Sequence, residues 1–350
     1  MQYFLRPRNI CVRAILAAVL LGAFLMGEAV AQDKVLNLYT ARHYATDEAF
    51  YTGYTKATGI KINRIEGGED ALFERIKAEG ANSPADMFLT VDVARLWRAE
   101  QAGIFAPVKS AMLNKQIPAH YRDTDNKWFG FSARARVLGY DKNKIKGGEL
   151  ARYEDLASPK WKGEICTRPS SHPYNLSLIS SMMIHLGEAK ATEWARGVAA
   201  NLARPPRGGD TDQLRAVAAG ECAIALSNHY YYVRLMRSQK PEDRALVEKV
   251  GLVWPNQGDR GTHVNISGGG MLQHAPHRDA AVKFLEYLAS DAAQTLFAKG
   301  NNEWPTVKGV KLANPELESF GQFKMDSLPL ANLGKAQAAA QRIADKVGWK

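Results

Sequence analysis

Cysteine is scarce in this 350-residue chain, which has only Cys11, Cys166 and Cys222. So few exclude a disulfide-dense scaffold, and no Cys/His spacing suits a zinc site. Clusters of Asp and Glu that would hold calcium or magnesium are also missing. No nucleophile elbow, zinc-protease helix motif or cysteine in a base-bearing context appears, which weighs against an enzyme. Lysine and arginine are plentiful but dispersed, and no basic run interleaved with aromatics marks a nucleic-acid surface. After residue 26 no apolar stretch approaches the ~20 residues that a membrane helix needs. Internal repeats, low-complexity segments and long flexible linkers are likewise absent.

What is present suits two domains of ordinary size, since 46% of the residues are hydrophobic and a chain this long is large for a single core. The amino terminus reads as a secretory signal: Arg6, Arg8 and Arg13 precede an apolar run at 15–26, and Ala29, Val30 and Ala31 form a small-residue cleavage site. Cleavage would leave Gln32 first and place the mature protein in a bacterial periplasm. Three Arg and one Glu leave with residues 1–31, so the formal charge falls from +10 to +8, a bias toward anionic ligands or surfaces. Cys11 departs too. Cys166 and Cys222 fall on expected strands, and in an oxidising compartment both a disulfide and two buried thiols remain open.

Along the mature chain, strands are expected at 35–39, 60–65 and 87–90, alternating with helices at 48–57, 69–79 and 93–101, as in a parallel sheet with helices on its faces. A long β-like run covers 128–140 and puts Arg134 and Arg136 on one face. That pair fits either an exposed edge or positive charge aimed at an anion. A second series follows: a short helix at 153–157, a strand at 164–168, helices at 176–186 and 191–202, and a helix capped by Thr211 or Asp212 that ends at Gly220. Strands at 222–226, 250–253 and 264–266 come next. Helices at 278–290, 291–299 and 333–347 complete the chain. The run Ser267, Gly268, Gly269 and Gly270 lacks the lysine and context of a phosphate cradle and reads as a tight turn. His185, in an apolar helix, reads as a core histidine, and His172 and His229 as solvent-facing or supporting neighbours of the tyrosines beside them.

Three consecutive tyrosines, Tyr230 to Tyr232, follow the strand at 222–226. Arg42, His43 and Tyr44 follow the strand at 35–39, and Ser171, His172, Pro173 and Tyr174 follow the strand at 164–168. All three loops run from a strand end into a helix start, where ligands of open α/β sheets gather and free N–H groups favour an anionic oxygen. Ionising a tyrosine at pH 7 costs about 4 kcal/mol, and four cost about 16 kcal/mol. Only a strongly Lewis-acidic cation offsets that, and ferric iron is the hard trivalent ion that suits phenolate. Four tyrosinates on Fe(III) sum to −1, for which Arg134 is the expected counter-charge, with Arg42 or Arg234 in reserve.

These segments, with Ala85 to Asp92 (Ala-Asp-Met-Phe-Leu-Thr-Val-Asp), Arg134 to Val137 (Arg-Ala-Arg-Val) and Ala219 to Tyr232, resemble the periplasmic ferric-iron-binding proteins of ABC uptake systems, in particular the subgroup with a tyrosine-rich site. The resemblance covers essentially the whole mature chain. It implies metal ligands Tyr44, Tyr174, Tyr230 and Tyr231, with His43 a ligand in some members and not in others, and Tyr232 as packing. An acid near Glu69 or Asp70 matches too loosely to be carried over, and a synergistic anion stays open. The implied fold is α/β, a two-lobed periplasmic binding protein fold of type II, with two parallel or mixed sheets flanked by helices and joined by hinge strands near 132–139 and 253–267. Lobe 1 would comprise 32–132 with about 260–350, lobe 2 would comprise 133–259, and the tail helices could pack on either lobe. A monomer that delivers iron to a membrane permease is implied. A same-fold protein for a polyamine, thiamine or organic anion is the main rival, and a secreted hydrolase a distant one.

Overall fold

Two crossover helices set the first half of the sheet. In the computed structural model, which describes residues 34–350 apart from 43 and 147, strand β1 (Val35–Thr40) lies parallel to both β2 (Lys61–Glu66) and β3 (Met87–Val91). Parallel neighbours need a crossover, and the helices Glu48–Thr58 and Glu69–Glu79 supply it. The expected signal segment at 1–31, the expected mature terminus Gln32, and His43 lie outside the described residues.

The longest strand, β4 (Phe129–Asp141), organises the rest. Five strands follow it: β5 (Ile165–Cys166), β6 (Ile224–Asn228), β7 (Val250–Val253), β8 (Val264–Met271) and β9 (Trp304–Pro305). Sheet order is β2-β1-β3-β8-β4-β6-β5, with β7 and β9 also paired to β4. Phe129 to Ala135 run antiparallel to β8, whereas Arg136 to Tyr140 run antiparallel to β6. One strand therefore changes partners midway and belongs to both halves of a mixed sheet. The expected hinge strand at 132–139 lies inside it. The second passage, 253–267, consists of the end of β7, the irregular segment 254–263 and the start of β8.

The hydrophobic cores divide at the same place. One buries Leu36, Phe88, Phe129 and Val137 with Phe284, and the other buries Leu138, Ile179, Trp194 and Leu226. The final helix, Ala331–Val347, serves both: Leu333 joins the first core, and Ala340, Ile343 and Ala344 join the second. Beyond it Trp349 is fully buried against Trp194, and its carbonyl accepts a hydrogen bond from Ser170 Oγ.

Two sequence expectations need correction, and one open alternative is decided. Residues 267–270 form no turn; they continue β8 between β3 and β4. The glycines are there because the flanking chains approach too closely for side chains: a Cβ at Gly268 would strike the Phe129 carbonyl, and one at Gly269 would meet the Phe88 carbonyl at 2.5 Å. Gly269→Ala is expected to cost about 2 kcal/mol through overpacking, measured as a lowered thermal unfolding midpoint. His185 is no core residue, since it sits at the surface with Nε2 2.7 Å from Asp326. Arg134 and Arg136 lie on no exposed edge; β4 has neighbours on both sides and both side chains are buried.

Cys166 and Cys222 are joined in a disulfide, with Cα atoms 6.0 Å apart, a spacing that suits the bond. It closes a loop of 56 residues, for which chain entropy gives a stabilisation of about 4 kcal/mol. Replacing both cysteines by serine is expected to lower the urea midpoint accordingly, with the denaturant slope showing whether the unfolded chain has also changed.

Candidate metal centre

Three helix starts converge on one cleft. Tyr44 is the extended residue before the turn Ala45–Asp47, which runs into helix Glu48–Thr58. Tyr174 is the second residue of helix Pro173–Leu186, whose opening proline has no N–H to waste. His172 caps that helix, its Nδ1 accepting the Tyr174 N–H at 3.3 Å. Tyr230 and Tyr231 lie in the first turn of helix His229–Met236, directly after β6. The triplet thus begins a helix, and the helical turn sends the third phenol elsewhere: Tyr232 donates to the Val250 carbonyl at 2.7 Å, inside a separate apolar cluster.

The hydroxyls of Tyr174 and Tyr230 are 3.1 Å apart. Arg134 Nη1 donates to Tyr174 Oη at 3.2 Å, while Nη2 is held by the Ile266 carbonyl at 2.8 Å. Tyr44, Tyr174 and Tyr231 line a cleft of about 730 Å³ together with Glu69, Arg95 and His172, and Tyr230 is almost completely buried. Burial pushes the hydroxyls of Tyr44, Tyr174 and Tyr230 above their ordinary pKa. Arg134 pulls all three back, whereas Tyr44 and Tyr231 oppose the ionisation of Tyr174, which the hydrogen bond with Tyr230 favours, and Tyr44, Tyr174 and Tyr231 oppose that of Tyr230. The four expected tyrosines are therefore brought together within electrostatic reach. Without a metal, Tyr44, Tyr174 and Tyr230 keep their protons at neutral pH; a cation among them would take the place of those protons.

The reserve arginines differ in availability. Arg42 is spent on Asp47, with Nε–Oδ2 at 2.8 Å and Nη2–Oδ1 at 3.0 Å, although its guanidinium also lies 5.0 Å from the centre of the Tyr44 ring. Arg234 lines the cleft and stands 5.5 Å over the Tyr231 ring. Arg136 turns to buried Asp210 at 2.6 Å and to Asn175 Oδ1 at 2.7 Å. Asp210 also accepts the Asn228 N–H at 2.7 Å, so one carboxylate anchors the start of the Tyr230 helix and, through Arg136, the neighbour of Tyr174.

Sequence reasoning missed Glu303. It is buried, accepts from Ser132 Oγ at 2.6 Å, lies 3.5 Å from Arg42 and raises the Tyr44 pKa. No local pattern announces it, because it enters the site from a part of the chain remote in sequence. Glu69 is also in the cleft, paired with Arg95 at 2.5 Å, and burial raises its pKa. His229 faces no solvent: it is fully buried, and desolvation lowers its pKa to about 3. His172 lies at the cleft, where burial and the charge of Arg168 lower its pKa to about 2.

Two cores sharing a central strand, with a polar cleft lined from separate helix starts, define a two-lobed solute-binding protein. Residues 82–326 match the model of the bacterial extracellular solute-binding protein family, and the chain belongs to that family. It is 50% identical to iron uptake protein A1 of Synechocystis sp. over 91% of this chain and 88% of that protein. Its fold matches the Trichodesmium protein IdiA (FutA), solved with iron and citrate, with a TM-score of 0.87 and 55% identity over 90% of this chain and 100% of the other. The ferric binding protein from Campylobacter jejuni matches with a TM-score of 0.84 and 40% identity, over 90% of this chain and 100% of that one. The chain is a binding protein and not an enzyme.

Proposed function

We propose that the protein captures iron as Fe(III) between its lobes, with Tyr44, Tyr174, Tyr230 and Tyr231 as tyrosinate ligands, and delivers it to an ABC permease. The observation that carries this reading is the convergence of phenols at the cleft, with Tyr174 and Tyr230 at 3.1 Å and Arg134 against Tyr174 at 3.2 Å. Buried phenols whose pKa is raised by desolvation are poorly placed for an organic cation, which would find carboxylates and aromatic faces more favourable. They suit a small trivalent ion that can displace their protons. With four tyrosinates the ferric site carries one negative charge, and Arg134 neutralises it in place.

Lobe 1 takes in 32–132 and about 260–350, although the end of the tail packs on lobe 2 through Ala340, Ile343 and Trp349, and lobe 2 takes in 133–259, with Tyr44 on the first and the other three ligands on the second. Iron then bridges the lobes, so binding favours their closure, and the permease selects the closed form. The mature protein acts as a monomer in the periplasm after removal of residues 1–31. Ferric citrate titrated into it should produce a visible tyrosinate-to-iron charge-transfer band. A colourless protein whose melting temperature ignores ferric loading would shift the assignment to an organic ligand.

A further inference from the structure

Strand β6 ends at Asn228, paired with Arg136 of β4. In register, the next residue opposite Ala135 is His229, whose backbone has already turned into a helix. Its imidazole stands where a carbonyl would have been: Nδ1 accepts the Ala135 N–H at 3.1 Å. The other ring nitrogen lies 2.9 Å from the Asn302 carbonyl, an acceptor only, so Nε2 carries the hydrogen. The ring packs against Trp254 and Trp304 at centroid distances of 5.8 and 6.2 Å. Ala135 belongs to the first hydrophobic core. Asn302 is the left-handed cap of helix Asp291–Asn301 and precedes Glu303, the carboxylate beside Arg42.

We infer that His229 is a positioning residue for iron capture, holding Tyr230 and Tyr231 in register with the part of the molecule that carries Tyr44. This rests on the ferric reading above. A ring bonded at one end to the shared strand and at the other to residue 302 ties the tyrosine-bearing helix to Ala135 of the first core and to the end of helix Asp291–Asn301, whose Ala293 and Phe297 belong to that core. A side chain that merely filled space would need neither bond.

Two substitutions divide the bonds. His229→Asn keeps an acceptor near the position of Nδ1 but is too short to reach Asn302; His229→Gln reaches Asn302 with an N–H but leaves the Ala135 amide without its acceptor. Both variants are expected to bind ferric iron at least about tenfold more weakly, the lower end for groups that orient metal ligands, and to show a shifted charge-transfer maximum. Wild-type affinity and spectrum in both variants would overturn the role of His229. A band missing from the unaltered protein would overturn the ferric reading as well, so the two failures are read from different samples. Should the variants not fold, hydrogen exchange of the unaltered protein decides. Ferric loading is expected to slow exchange at Ala135 and at 299–304 together with the helix His229–Met236; slowing confined to that helix overturns the inference.

Discussion

Tyr230→Phe is expected to lower ferric affinity by at least about 100-fold, the upper end of what loss of a supporting group costs, because on the proposed ligand set a ligand itself is lost. The charge-transfer band should weaken and move, since one phenolate donor is gone and the charge of the site rises by one. The fold should survive, because the ring keeps its volume in a buried position and the lost hydrogen bond to Tyr174 is worth about 1 kcal/mol. Tyr232→Phe is the internal control. Its hydroxyl is bonded to the Val250 carbonyl, so its removal should lower stability slightly and leave both band and affinity intact. Equal loss in the two variants would refute the division of the triplet into two ligands and one packing residue.

Ferric affinity is also expected to fall steeply with acidification. Burial holds the hydroxyls of Tyr44, Tyr174 and Tyr230 above the ordinary tyrosine range, so each is protonated at neutral pH before the metal arrives. Each phenol that is protonated before binding and ionised after it contributes up to a factor of ten per pH unit. For these three the apparent affinity should drop by up to about a thousandfold for every unit. The sign follows from the raised pKa: protons compete with iron throughout the range below it, and lower pH favours the protons. Competition against a chelator of known proton dependence, at pH 8 and pH 6, measures the slope. A flat profile would mean that neutral oxygens, not phenolates, hold the metal.

Much of the fold was legible because many of its helices are locally determined. The bounds expected for Glu69–Glu79 and Val93–Gln101 agree with the structure, each helix carrying its own apolar spacing. The helix Pro241–Lys249 escaped notice because its sequence, rich in charge, buries little beyond Asp243 and Leu246. The glycines of β8 misled for a different reason: in sequence they read as a turn, and only the closeness of β3 and β4 makes them a strand. At the site, the tyrosines could be found because each follows a strand and opens a helix. Glu303 and Asp210 could not, since a buried carboxylate takes its meaning from arginines remote in sequence, Arg42 for one and Arg136 for the other. His229 was visible as a neighbour, but its two bonds depend on where β6 stops.

The terminal helix Ala331–Val347 limits how this molecule can gape. With Leu333 sunk in one core and Ala340 to Ala344 in the other, it works as a strap across the waist. A motion that drew the two halves straight apart would strip apolar surface from one end of it, whereas a swing about an axis close to the strap would not. Release of the cargo should therefore resemble a book opening along its spine, with the far rim travelling widely and the strap hardly at all.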